Sequence, residues 1–290
     1  MNTIIGLLIT ILCIIGGFYA MGGNINILIQ PFEIIIVAGA GLGGFVMANP
    51  LKIIKDSGIS VLETFGYKTI DQSTYCNILK LLYILMYNLK KGSRNEIENH
   101  IDDPYNSTIF NSIPTILENH ELTTFICDYI RMLIIGNARS YEIENLMDEE
   151  LDIILYEKLK TYHAMSHMSE SFPAIGIIGA ILGIIKAMGN LSQSPKILGA
   201  AIGVSLTGTL LGILLSYCVC NPLIAQIKST KLRQHRLYIM VKKTLIAYMN
   251  GAVPQVAIEY GRKVLPLSER PSIEIVEQEV LQYNHNTQAS

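Results

Sequence analysis

The sequence predicts an all-α polytopic membrane protein, with four transmembrane helices and a large helical cytoplasmic domain, on three observations. Four apolar runs, at about 2–21, 32–48, 172–188 and 197–220, are each close to the ~20 residues an α-helix needs to cross a bilayer. Charged residues are only 16% of the 290, half of all residues are hydrophobic, and the charges concentrate between those runs, the pattern of a polytopic chain with a soluble portion. Of the 22 Lys and Arg, only Lys186 and Lys196 lie outside 51–170 and the tail after Leu223. Basic residues stay inside, so those two pieces and both termini are expected on the cytoplasmic side.

The expected organisation is therefore 1–50 for membrane helices 1 and 2, 51–170 for a cytoplasmic domain, 171–223 for membrane helices 3 and 4, and 224–290 for a cytoplasmic helix and tail. Asn2 to Met21 has no basic residues ahead of it and no small-residue cleavage site after it, so it reads as a retained first membrane helix. An uncharged loop, Gly22 to Gln30, follows. Pro31 suits a first helical position, and Glu33 falls in the first turn, where a carboxylate complements the helix dipole near the outer surface.

Within 51–170, Ile78 to Leu89 is apolar but short and carries Lys80 and Asn88, so an amphipathic cytosolic helix is expected. Lys90, Lys91 and Gly92 give it a basic last turn and a glycine stop. Ser93 and Glu96 resemble a capping box. Leu122 to Ile135 reads as another amphipathic helix ended by Gly136, and an acidic helix from Tyr141 runs toward Pro173. The third and fourth apolar runs carry small residues at four-residue spacing, which lets helices approach closely in lipid; a polar link, Gly189 to Lys196, joins them. Lys186, near the outer end of its run, can snorkel to the interface. A basic stretch, Lys228 to Lys243, suits an anionic inner leaflet, and the residues beyond Gln282 have a disordered composition.

Several function classes are disfavoured. A net charge of −2 argues against nucleic acid. Five Cys, three of them (Cys13, Cys218 and Cys220) in apolar runs, suggest no disulfide framework. Gly39, Gly41 and Gly44 match a dinucleotide-binding glycine pattern, but the apolar run passes straight through them, and helix packing explains them better. His163 and His167 have helical ligand spacing without a third ligand. No nucleophile, base and orienter stand together, so no enzyme, cofactor or metal is expected. Apart from Glu33 and Lys186, the membrane runs hold no Asp, Glu, Lys or Arg, yet the last offers Ser205, Thr207 and Thr209. An ion path needs a charged or titratable ligand at depth, so a partner would have to supply it; alternatively the hydroxyls merely bond their own helix.

The blocks GGNINILIQPFEIIIVAGAGLGGFV, YEIENLMDEE, SFPAIGIIGAILG, GVSLTGTLLGILLSY and GRKVLPLSERPS, in this order along the chain, resemble the MotA family of flagellar stator subunits, within the MotA/TolQ/ExbB proton channel superfamily. The resemblance implies a homo-oligomeric ring, a pentamer in the family, in the inner membrane around MotB, whose membrane helix carries the ion-binding Asp. It implies torque on the rotor protein FliG through charges matching Lys90, Glu98 and Glu150. Lys90 stands where a well-known member has Arg, so the charge is kept and a bidentate contact is lost. Pro173 and Pro222 match the family's prolines at the cytoplasmic ends of the third and fourth helices, where proline bends or ends a helix.

The resemblance also bears on the coupling ion. Sodium-driven relatives usually carry Thr seven residues after the first of these prolines; this chain has Ala180, while Thr209 is common to both types. Without an extra oxygen ligand, protons are the expected coupling ion and Na⁺ the alternative. Energisers of the ExbB and TolQ type have three membrane helices rather than four, and a non-conducting membrane scaffold is the remaining alternative.

Overall fold

The computed structural model describes residues 2–66, 70–136, 139–189 and 194–281. The middle of the expected polar link and the tail beyond Gln282 lie outside these residues. The described residues form helices joined by turns and loops, without a strand. In order they form α1 (Asn2–Ala20), a 3₁₀ turn (Ile25–Ile27), α2 (Pro31–Ala48), α3 (Leu51–Gly66), α4 (Gln72–Lys90), α5 (Arg94–Asp102), α6 (Thr108–Asn111), α7 (Pro114–Leu117), α8 (His120–Ile135), α9 (Ser140–Met188) and α10 (Pro195–Ile213). A π-helical segment (Leu214–Cys220), α11 (Asn221–Met249), α12 (Pro254–Lys263), α13 (Ile273–Val276) and a last π turn (Glu277–Leu281) complete it.

The chain divides into two compact units. The first comprises 1–68 and 159–230, the second 69–158 and 231–290. The expected boundary at residue 51 therefore falls inside the first unit, where α3 packs on α1. Three helices, Pro31–Ala48, Ser140–Met188 and Ile197–Met249, are long and apolar enough to cross a membrane among the described residues, and Ile4–Ala20 is a shorter apolar helix. These segments expose rows of large apolar side chains, such as Ile177, Ile178, Ile181 and Leu182 on α9. Lipid solvates such a surface without penalty.

The second unit is built around α4. Tyr75, Cys76, Ile78, Leu79 and the run Leu81 to Met86 are all buried. The amphipathic helix expected at Ile78 to Leu89 is thus covered on most sides, because α12, α5, α7 and the last π turn pack around it. Gly92 and Gly136 stop α4 and α8 with φ of 92° and 75°, where a missing Cβ removes the steric cost. Ser93, by contrast, makes no side-chain cap bond, so the expected capping box does not form; α5 is held by burial of Ile97 and Ile101.

The basic stretch after the fourth apolar run is largely engaged by protein. Arg233 and Arg236 lie 3.1 and 3.4 Å from the Glu269 carboxylate. The buried Lys242 pairs with Asp148 and Glu144, and Lys243 with Glu144. Lys228 sits 4.7 Å from the centroid of the Tyr162 ring. The expectation of a lipid-facing basic patch is therefore corrected: most of these cations neutralise carboxylates of the second unit.

Neither proline ends a helix. Pro173 lies inside the 49-residue α9, and Pro222 lies in the first turn of α11, which continues the π-helical segment without a break. Proline has no N–H to give the preceding turn. The backbone takes the i→i−5 pattern here instead, with the Asn221 N–H bonding the Ser216 carbonyl.

Candidate ion pathway and rotor face

Small residues set the geometry of the membrane site. A Cβ at Gly212 would stand 2.5 Å from the Phe172 carbonyl oxygen, and one at Gly176 would stand 2.8 Å from the Gly208 carbonyl oxygen. A Cβ at Gly183 would collide with the Ser205 side chain. The two helix backbones thus touch through glycine over about three turns, as small-residue seams allow in lipid. Among the described residues, Gly199 and Gly203 meet nothing within 4 Å.

Helix α2 lies along this crossing. Its buried residues, Glu33, Val37, Gly41 and Phe45, recur every fourth position and form one stripe. Gly41 receives the Phe172 ring, so among the described residues packing explains this glycine of the dinucleotide-like pattern, while Gly39 and Gly44 meet nothing there within 4 Å. Glu33 stands against Gly179 and Gly208, whose Cβ atoms would lie 2.8 and 2.5 Å from its Oε2. This corrects the expected position of Glu33. It lies about 12 Å along α2 from Gly41 at 1.5 Å per residue, level with the middle of the 172–188 run rather than at its outer end. The physical reason is the loop before α2. Asn24 caps a 3₁₀ turn by accepting from the Asn26 N–H at 3.0 Å, and that turn packs on α10, so α2 starts part-way along its neighbours.

The hydroxyls divide into two kinds. Ser205 and Thr207 donate to carbonyls of their own helix, Ala201 at 2.9 Å and Val204 at 2.6 Å. Thr209 donates instead to the Gly176 carbonyl on α9, at 3.4 Å. Ala180 is buried at the same crossing, its amide nitrogen 3.4 Å from where a Gly208 Cβ would be. The structure thus brings Ala180 and Thr209 together with Glu33, which sequence reasoning had set apart; the four-residue spacing of Glu33, Val37 and Gly41 was the signal available. Pro173 and Pro222 flank a second feature that was missed. The buried Ser169 hydroxyl lies 2.9 Å from Asn221 Oδ1, to which it donates, and 3.3 Å from Ser216 Oγ.

In the second unit, Lys90 ends α4 and Glu98 lies on α5, both exposed. Glu150 differs. It is half-buried, and its Oε2 accepts the Tyr129 hydroxyl at 2.6 Å; burial and this carboxylate push the Tyr129 phenol well above its usual range. His235 is buried nearby and donates from Nε2 to the Leu151 carbonyl at 3.0 Å; burial holds its imidazole below its usual value. Burial likewise pushes the Cys76 and Cys127 thiols up to about 12, the state of inert core cysteines. His163 and His167 are exposed, and no group of His, Cys, Asp and Glu among the described residues could hold a metal.

Comparison with known proteins gives one answer at each level. Residues 4–93 match the "Motility protein A N-terminal" family model, and residues 117–239 match the "MotA/TolQ/ExbB proton channel family" model. Motility protein A of Salmonella typhimurium is 36% identical over 280 residues, covering 97% of this chain and 95% of the relative. Its Escherichia coli counterpart is 35% identical over the same shares. Among solved structures, C. jejuni MotAB matches with a TM-score of 0.74 at 19% identity, covering 94% of this chain and 98% of that one. The flagellar MotAB stator complex from Bacillus subtilis matches with a TM-score of 0.69 at 20% identity, covering 92% and 96%. Those two likenesses establish the fold. The identity and coverage of the Salmonella and Escherichia relatives establish the family: this chain belongs to the motility protein A family of membrane proteins.

Proposed function

We propose that this chain, a motility protein A subunit of a flagellar stator, couples proton flow through the membrane to torque on the rotor. The observation that carries the reading is the α2–α9–α10 crossing, where Ala180 and Thr209 stand at mid-span between glycine-packed helices. In this reading the chain crosses the inner membrane four times, with both termini in the cytoplasm, and forms a ring, a pentamer as in its family, around MotB. The MotB membrane helix supplies the Asp that takes the ion. Ala180 offers a methyl group where a hydroxyl would add a sodium ligand, which favours H⁺ over Na⁺. The chain needs no cofactor and performs no enzymatic step.

Force leaves through the second unit. Lys90 and Glu98 present opposite charges on adjacent helices, and contacts of this exposed kind are worth ~0 to 1 kcal/mol each, weak enough to be made and released repeatedly against FliG. Glu150, already bonded to Tyr129, shapes that face rather than reaching out from it. Pro173 and Pro222, beside the Ser169 and Asn221 contact and the π-helical segment, mark the place where occupancy of the ion site becomes a change of helix geometry. Co-expression with MotB and reconstitution into vesicles tests the conduction step. A complex that acidifies the vesicle lumen down a proton gradient supports it, and a complex that assembles yet passes neither H⁺ nor Na⁺ contradicts it.

A further inference from the structure

Glu33 is the acidic residue of the α2–α9–α10 crossing. It is 9% exposed, and its Oε2 has no hydrogen-bond partner among the described residues. Its seat is specific: Gly179 and Gly208 are the positions where a side chain would strike that oxygen, so two glycines on two helices leave the room the carboxyl fills. The charged residues of the surrounding elements are remote in sequence. Lys186 lies seven residues past Gly179, or about 10 Å along α9, and is exposed. Lys196 lies twelve residues before Gly208 on α10. Between Met21 and Ala48 the chain has no charge besides Glu33. A bare carboxylate in such surroundings is costly unless something neutralises it.

We propose that the Glu33 carboxyl is a monovalent-cation site belonging to this chain, in addition to the acid that MotB supplies. Its Oε2 takes a proton, or a sodium ion, beside Ala180 and Thr209. A bound proton makes the carboxyl neutral and compatible with the glycine seat; loss of the cation leaves a charge that must turn out of it. The site therefore ties the packing of α2 on α9 and α10 to cation occupancy. The membrane reading enters only through the apolar surroundings of the crossing.

The test is infrared difference spectroscopy on the lipid-embedded complex with MotB, wild type against Glu33→Gln, at neutral and alkaline pH, with and without sodium chloride. The expected result is a carboxyl band that is lost in Glu33→Gln, is insensitive to sodium, and responds to pH. Carboxylate bands that vanish in Glu33→Gln and shift when sodium is added assign the site to sodium instead. Carboxylate bands that respond to neither pH nor sodium overturn the proposal. The MotB acid appears in both samples and cancels, so the absence of a cation-dependent Glu33 band leaves the stator reading standing while removing this site. Glu33→Asp keeps the acid and moves the band, which preserves the test if Glu33→Gln fails to assemble.

Discussion

The Phe172 carbonyl oxygen stands 2.5 Å from the point a Cβ at Gly212 would occupy, so α9 and α10 meet with no room for a methyl group at the residue just before Pro173. Both listeners in this contact are backbone, which cannot swing aside as a side chain would.

Gly212→Ala and Gly176→Ala should therefore each destabilise the assembled complex by about 1–3 kcal/mol, the usual cost of overpacking, read as a lower melting temperature of the purified complex. Gly199→Ala meets nothing within 4 Å among the described residues. Any loss of stability it causes in the complex would report contact with another chain.

Thr209→Val keeps the shape of the side chain and removes its bond to the Gly176 carbonyl. Interhelical bonds of this type average ~0.6 kcal/mol in membranes, so the complex should still assemble. If Thr209 lines the ion path, proton conduction should fall more than stability does; equal small losses in both would reduce Thr209 to a packing residue.

His235 makes the second unit sensitive to acid. Its imidazole is held below its usual value by burial, with the bond to the Leu151 carbonyl opposing the effect, Lys158 adding to it and Asp152 opposing it. The unfolded chain then binds more protons than the folded one, so stability is full above the unfolded value of about 6.5 and declines as pH falls through it toward the lower folded value. Hydrogen exchange of the α11 amides in the intact complex, corrected for intrinsic rates, should show protection falling below about pH 6.5. His235→Gln should flatten that dependence.

The charges proposed for the rotor face should separate by role. Lys90→Glu and Glu98→Lys should lower torque while leaving the melting temperature within about 0.5 kcal/mol equivalent of wild type, as exposed substitutions do. Glu150→Ala strands the hydroxyl of the buried Tyr129 and should cost about 1–2 kcal/mol. A stability loss confined to Glu150, with torque loss at Lys90 and Glu98, is the expected pattern.

Much of the architecture was legible in the sequence because each signal was local. Pro31 at a first helical position, Gly92 and Gly136 as stops, and the apolar runs each depend on a few neighbouring residues. What sequence reasoning misjudged depended on distant packing. Glu33 looked superficial because its depth is set by a 3₁₀ turn resting on α10. The helix around Ile78 looked amphipathic because Lys80 and Asn88 suggested a wet face, yet α12, α5, α6, α7 and the last π turn cover it. Pro173 and Pro222 were expected to bend or end their helices because proline lacks a donor; α9 continues through the first, and a π-helical segment carries the backbone past the second. The basic stretch at Lys228 to Lys243 looked lipid-facing because the partners of most of its cations, Glu144, Asp148 and Glu269, lie far away in sequence.

The most direct test of the central claim is motility of a strain lacking its own motility protein A, complemented by this chain with its cognate MotB, while external pH and Na⁺ are varied independently. Swimming that persists without sodium and stops when the proton gradient is collapsed is the predicted result. Swimming that requires sodium and survives collapse of the proton gradient would contradict the proton-driven mechanism built on Ala180.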